Sequence, residues 1–412
     1  MRWEASSMAA GFANLVTIAD VEAAAARLAP VVQRTPVEST AACSELAGVS
    51  TLLKCEHLQR TGSFKIRGAF NRLSLLDEAE KARGVVCASA GNHAQGVALS
   101  ASLLGIRATV FMPATAPLPK VEATRRYGAQ VILTGDTFDD AYAACAQWAI
   151  EQDAVEVHPF DHPDVIAGQG TLGLELLGQV PDLGTVVIPV GGGGLVSGIA
   201  VAVKASRPDV RVVGVEAAGA AAVAASLAAG AVVRLGQMST IADGIAIRTP
   251  GALTLAHIEA LVDDVVTVSD EAIARAVLLL IERAKQVVEP AGAASLAAVL
   301  EHGIQWRGPV AAVLAGGNVD PLLLMRIIQS GMEEEGRYLV IRTRLADRPG
   351  ALSRLLTLLA GADTNIVGVE HHRLGTRLGL LEVEVQLEIE TRGPAHIGEV
   401  LTTLKAHGYP IS

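Results

Sequence analysis

The stretch Thr185-Val186-Val187-Ile188-Pro189-Val190 is apolar after its first residue and runs straight into Gly191-Gly192-Gly193-Gly194-Leu195-Val196-Ser197-Gly198. A strand with no polar face has to be covered on both sides, as happens in a parallel sheet between layers of helix. The same order of buried strand, glycine turn and helix returns along the chain. Residues 84–88 lead into Ser89-Ala90-Gly91-Asn92-His93-Ala94-Gln95-Gly96 and an alanine-rich helix, and residues 108–113 lead through a helix at 120–127 to a strand at 130–133. Strands are also expected at 51–54, at 210–216 and at 310–314, the last running into Ala315-Gly316-Gly317-Asn318-Val319-Asp320. Such alternation specifies an α/β fold with doubly wound parallel sheets, whose ligands gather beyond the carboxyl ends of the strands.

At 412 residues the chain exceeds one ordinary core, and with only 3% aromatic residues that core has to be built from Ala, Val, Leu and Ile. The formal net charge of -10, without basic runs, argues against a nucleic-acid or anionic-membrane partner. Cys43, Cys55, Cys87 and Cys145 are scattered without a C-x-x-C pair, which speaks against a disulfide framework and a zinc site. Residues 1–16 read as a leader with no apolar signal segment, and no apolar run reaches transmembrane length, so a cytoplasmic protein is expected. Thr17 suits the cap of a helix over 18–29.

One lysine stands out against this frame. In Thr61-Gly62-Ser63-Phe64-Lys65-Ile66-Arg67-Gly68-Ala69 it follows an aromatic and opens an apolar-periodic helix, with Ser63 near the cap. A cation at the positive end of a helix and in an apolar wall has its ammonium form disfavoured, which makes the amine a better nucleophile. A solvated helix-start lysine fits these nine residues as well. The four glycines at 191–194 would offer backbone N–H groups to a phosphate, though a plain glycine turn has the same composition. Ser89, Gly91, Asn92 and His93 open a helix at a strand end, where amides can hold a carboxylate and Asn92 can donate to a phenolate-like oxygen.

Taken together, Ser-Phe-Lys-Ile-Arg-Gly-Ala (63–69), Ser-Ala-Gly-Asn-His-Ala-Gln-Gly (89–96), the glycine run and Gly-Gly-Asn-Val-Asp (316–320) resemble the pyridoxal-phosphate threonine dehydratases of the tryptophan-synthase-β fold type. The resemblance covers about residues 17–325 and implies a two-domain catalytic part, the smaller domain at roughly 55–155, with pyridoxal phosphate in the cleft. It implies that Lys65 is the Schiff-base lysine and the base for the α-proton. Phe64 and Gly244 would lie on the two faces of the pyridine ring, Asn92 would bond its phenolic oxygen, and Gly191, Gly192, Gly193 and Gly194 would hold the phosphate. Ser89, Gly91, Asn92 and His93 would bind the substrate carboxylate. Where the family commonly has a serine facing the pyridine nitrogen, this chain has Ala315. Related serine racemases have a serine base where Ala90 stands, and beyond Glu216 a metal-binding carboxylate where Ala222 stands, so racemisation and a metal site are not expected.

Composition shifts after Asp320, and the acidic run Glu333-Glu334-Glu335-Gly336 reads as part of a hinge over 326–336. Residues 381–390 then alternate strictly between apolar and polar, and the order βαββαβ over 337–412 makes a ferredoxin-like module. With Asp347-Arg348-Pro349-Gly350 between its first strand and helix, it resembles a single ACT regulatory domain. The resemblance implies an amino-acid effector, isoleucine or valine, near Asp347, Pro349, Gly350 and Asn365, and a homo-oligomer, dimer or tetramer. A purely structural pairing sheet uses the same elements. The expected activity is elimination from L-threonine to 2-oxobutanoate and ammonia, with an L-serine-preferring dehydratase and a non-catalytic amino-acid sensor as alternatives.

Overall fold

The structure, a computed structural model, describes residues 15–301, 304–373 and 378–411, so most of the expected leader lies outside the described residues. Its contacts divide the chain into two units, Met1–Asp320 and Pro321–Ser412.

The first unit contains two sheets. The smaller is wholly parallel, in the order Gln130–Leu133, Ala108–Met112, Val85–Ala88, Val155–Glu156. The larger runs Val37–Ser39, Thr51–Lys54, Val310–Val313, Thr185–Pro189, Arg211–Ala217, Asp264–Val268, and is parallel except for its first strand. That antiparallel edge and the Asp264–Val268 strand were not expected; the edge is too short to show a period. Helices cover both faces, and Val186, Ile188, Val212, Ile199 and Val313 are all fully buried. Burying each such side chain stabilises the fold by about 1.5–3 kcal/mol before the entropy of ordering it is counted. The first helix, Ile18–Leu28, starts where expected: Thr17 caps it, and Asp20 accepts from the Thr17 N–H at 2.8 Å.

A charged cluster is buried behind the lysine loop. Arg67 donates through Nε and Nη2 to the two oxygens of Glu56 at 2.8 and 2.7 Å, and through Nη2 to Glu175 at 2.9 Å. Lys54 reaches Glu175 at 2.5 Å and the Thr35 carbonyl at 2.8 Å. The two cations and two anions balance, which is the condition for burying them at all.

In the second unit, strands Tyr338–Ala346, Glu382–Glu390 and Asn365–His372 form an antiparallel sheet in that order, with helices Ala351–Gly361 and Pro394–Ala406. Val383, Val385, Leu387 and Ile389 are buried on one face, as the alternation requires. The expected last strand is reduced to one bridge between Ile411 and Thr343. The hinge expected at 326–336 is corrected through 334. Pro321–Glu334 is one helix, because proline suits a first helical position and glutamate is a good helix former. Only the turn at Glu335 and Gly336 breaks it, with Gly336 at φ 69°. Among the described residues no helix is long and apolar enough to cross a membrane.

Candidate active site

The carboxyl ends of four strands meet within the first unit. Thr51–Lys54 leads to the lysine loop, Val85–Ala88 to Ser89, Thr185–Pro189 to the glycine run, and Val310–Val313 to Ala315. The Phe64 N–H donates to the Ala315 carbonyl at 3.2 Å and Ser63 pairs with Gly316, so the lysine loop is stitched to the last of these turns. Helix Asn92–Leu104 lies against the start of helix Lys65–Ser74. A Cβ on Gly96 would come 3.1 Å from the Lys65 carbonyl carbon, so a larger residue would push the two helix backbones apart by a few tenths of an ångström.

Lys65 is the first residue of its helix and is half-buried, as are Ser89, Gly91, Asn92 and Asn318. Its Nζ donates to the Pro159 carbonyl at 2.9 Å and lies 5.2 Å from the centre of the Phe64 ring. Loss of solvent holds its pKa down to about 8, against the opposing pull of Glu289. One local expectation changes. The residue capping the helix is Phe64, without a side-chain cap bond, while the Ser63 hydroxyl is buried and unpartnered among the described residues. The His93 ring turns away from the cleft onto the Val157 carbonyl at 2.9 Å. Burial, with Lys65 nearby, holds the His93 pKa down to about 3, so the ring is neutral and only its backbone N–H faces a ligand role. Ser89 Oγ accepts the Gly91 N–H at 3.2 Å.

Glu289, which sequence reasoning did not single out, is 4% exposed and accepts from Asn92 Nδ2 at 2.6 Å. Asn318 Nδ2 in turn donates to Asn92 Oδ1 and to the Thr61 carbonyl, both at 2.8 Å. Burial and then Asp243 push the Glu289 pKa up to about 7, while Lys120 and Asn92 pull it down. Lys120, from helix Leu118–Arg126 beside the smaller sheet, pairs with Asp243 at 2.7 Å. The signal for Glu289 was present: it is a lone charge between Val287-Val288 and Pro290-Ala291-Gly292-Ala293-Ala294.

At the glycine run Gly193 has φ 93°, which favours glycine, and caps helix Gly194–Ser206. Thr254 Oγ1 donates to the Gly192 carbonyl at 2.7 Å, and side chains at Gly192 or Gly194 would collide with Phe160. Gly244 sits in the short turn Asp243–Ile245, where a Cβ would lie 2.9 Å from that of Ala291 and 3.4 Å from Glu289 Oε1. Ala315 is buried among aliphatic residues. Glu216 spends both oxygens on the Val223 and Ala224 amides, each at 2.8 Å, and among the described residues no His, Cys, Asp and Glu cluster is suited to a metal ion. In the second unit Gly350 has φ 81° and caps its helix, the Asp347 N–H donates to the Leu381 carbonyl at 2.8 Å, and Asn365 Nδ2 is tied to Glu390 at 2.9 Å.

A cradle free of side chains at a helix start, a desolvated amine and an asparagine amide facing one cleft fit the phosphate, aldehyde and phenolic oxygen of pyridoxal phosphate. Residues 28–316 match the family described as pyridoxal-phosphate dependent enzyme, and residues 339–408 match the ACT domain. The chain is 46% identical over 397 residues to an L-threonine ammonia-lyase of Thermotoga maritima, covering 96% of this chain and 99% of that one. A solved T.th. threonine deaminase is 45% identical with a TM-score of 0.71, covering 74% of this chain and 99% of that one. The solved maize serine racemase is 39% identical with a TM-score of 0.73, covering 78% and 100%. The chain therefore belongs to the pyridoxal-phosphate-dependent enzymes and carries a C-terminal ACT domain.

Proposed function

We propose that the chain is an L-threonine ammonia-lyase that converts L-threonine to 2-oxobutanoate and ammonia. The observation that carries this reading is the Lys65 amine at a helix start, seated on the Pro159 carbonyl beside the Phe64 ring, with its pKa held down to about 8 by loss of solvent. The activities of the relatives supply the substrate. Pyridoxal phosphate, when bound, supplies the electron sink. Lys65 anchors it and, once free, takes the proton from the substrate α-carbon; a pKa near the working pH leaves enough neutral amine for that. Gly191, Gly192, Gly193 and Gly194 hold the phosphate, Phe64 and Gly244 confine the ring, and Asn92 donates to its phenolic oxygen. Ser89, Gly91, Asn92 and the His93 backbone N–H hold the substrate carboxylate. Ala90, where related racemases carry a serine, offers no base of its own.

Ammonia release from threonine and from serine by the purified holoenzyme tests this reading. Faster turnover of serine would replace threonine as substrate, since one methyl separates them by only ~1–3 kcal/mol. Turnover of neither would leave an amino-acid sensor. Ala315→Ser is expected to change turnover of threonine by less than about tenfold, because it adds at most one hydrogen bond of ~1 kcal/mol. A larger change in kcat would show that the group beside the pyridine nitrogen governs the reaction.

The ACT domain is assigned to regulation by an amino acid, isoleucine or valine, bound near Asp347, Pro349, Gly350 and Asn365 in a homo-oligomer. All the cofactor motifs lie within the first unit, which ends at Asp320. A chain ending at Asp320 is expected to keep threonine turnover and to lose any response to branched-chain amino acids. Equal responses from the truncated and intact enzymes would assign the domain another role.

A further inference from the structure

Resting on the reading that Asn92 meets the cofactor's ring oxygen, we propose that Asn318 and Glu289 are positioning residues that fix which way the Asn92 amide faces. Asn318 Nδ2 donates to both the Thr61 carbonyl and Asn92 Oδ1, which uses both of its amide hydrogens. The Thr61 carbonyl sets the orientation of Asn318, because a turned amide would put oxygen against oxygen there. Asn92 then has its oxygen held by Asn318 and one N–H held by Glu289 Oε1. Turning the Asn92 amide would face its nitrogen with the Asn318 nitrogen, donor against donor, and would set its oxygen against Glu289 Oε1 whenever that carboxyl is ionised, so the turned amide is disfavoured. The second Asn92 N–H, which no described residue takes, is thereby aimed by its neighbours.

Two glycines make room for this relay. A Cβ on Gly62 would run into the Asn318 amide, 3.0 Å from its Nδ2, and one on Gly316 would run into the Glu289 carboxyl and come 3.0 Å from Asn92 Nδ2. The relay thus connects the lysine loop, through Thr61 and Asn318, to Asn92 and to the start of helix Pro290–Leu300, which Glu289 caps. The charged groups acting on Glu289 are Lys65 from its helix, Asp243 from the 243–245 turn and Lys120 from helix Leu118–Arg126. Substitutions at Asn318 leave all of these in place, which makes Asn318 the better probe.

The test follows the visible absorbance band of the bound cofactor in the holoenzyme as pH is raised. A donor to the ring oxygen stabilises its ionised form, so losing it lets the cofactor–lysine pair keep its proton to higher pH. Asn318→Asp removes the donor and offers Asn92 nitrogen a carboxylate to turn toward. We expect the midpoint of the band to rise by about one pH unit, with kcat reduced more than tenfold. In an Asn92→Ala background, whose own midpoint is already raised, Asn318→Asp should produce no further shift. Glu289→Leu should move the midpoint further than Glu289→Gln, since both remove the charge and only glutamine keeps an acceptor for Asn92. Should the aspartate variant not fold, Asn318→Ser is compared in the same two backgrounds. An unchanged midpoint in the Asn318 variant, or an equal shift with and without Asn92, overturns the relay. An unchanged midpoint in Asn92→Ala alone overturns the placement of Asn92 beneath it, and does so whichever amino acid the enzyme consumes.

Discussion

Lys65→Ala is expected to lower turnover of threonine by on the order of 10⁴-fold or more, because the variant loses both the cofactor anchor and the base. Lys54, the nearest lysine in sequence, is engaged by Glu175 and the Thr35 carbonyl in the buried cluster and cannot stand in. The fold should survive. In the cofactor-free protein the amine has its pKa lowered from 10.5 to about 8, so placing it in the cleft is a cost at neutral pH that alanine removes. That cost is fully present below pH 8 and is relieved between pH 8 and 10.5, where the unfolded chain still binds the proton and the native state does not. Melting curves of wild type and variant without cofactor check the stability, and single-turnover ammonia release checks the chemistry. Turnover within a hundredfold of wild type would remove Lys65 from its assigned role.

The second large effect concerns stability. Arg67 is 1% exposed, and although burial works against its charge, Glu56 and Glu175 hold its pKa above the ordinary guanidinium value. Arg67→Met leaves an uncompensated buried negative charge, an error that costs about 3–5 kcal/mol. Adding Glu56→Gln should recover at least half of that loss, because the remaining Lys54 and Glu175 pair is neutral and glutamine still accepts from Thr35. Urea denaturation of the two variants, compared with wild type, reads the difference. If Arg67→Met costs under about 1 kcal/mol, or if the double variant is no better than the single, charge balance does not hold this cluster together.

Much of this architecture was legible because parallel strands carry their burial in composition: 185–190 and 84–88 have almost no polar residue, and glycine turns mark their carboxyl ends. The alternation at 381–390 was equally readable. What escaped depends on contacts far apart in sequence. Glu289 and Asn318 acquire a role only when a helix start and a strand end bring them to Asn92, and no spacing relates residues 92, 289 and 318. That the His93 ring is taken up by structure was equally hidden; the Val157 carbonyl that claims it lies just past the edge strand Val155–Glu156 of the smaller sheet. The end of the helix over Pro321–Glu334 was obscured by three adjacent glutamates, which resemble a solvated linker although glutamate favours helix.

The strand order of the larger sheet has a bearing on how the enzyme is made. Strand Val310–Val313 lies between Thr51–Lys54 and Thr185–Pro189, so strands made far earlier wait for their neighbour. The smaller sheet draws all its strands from residues 85–156 and can close while the ribosome is still reading. The larger sheet has an open slot at its middle until the chain past 313 has emerged, and both edges of that slot expose unpaired backbone groups. A nascent chain stalled before that point holds the lysine loop without the Ala315–Gly316 turn to which it is stitched, so Lys65 is seated only when synthesis of the first unit is nearly complete.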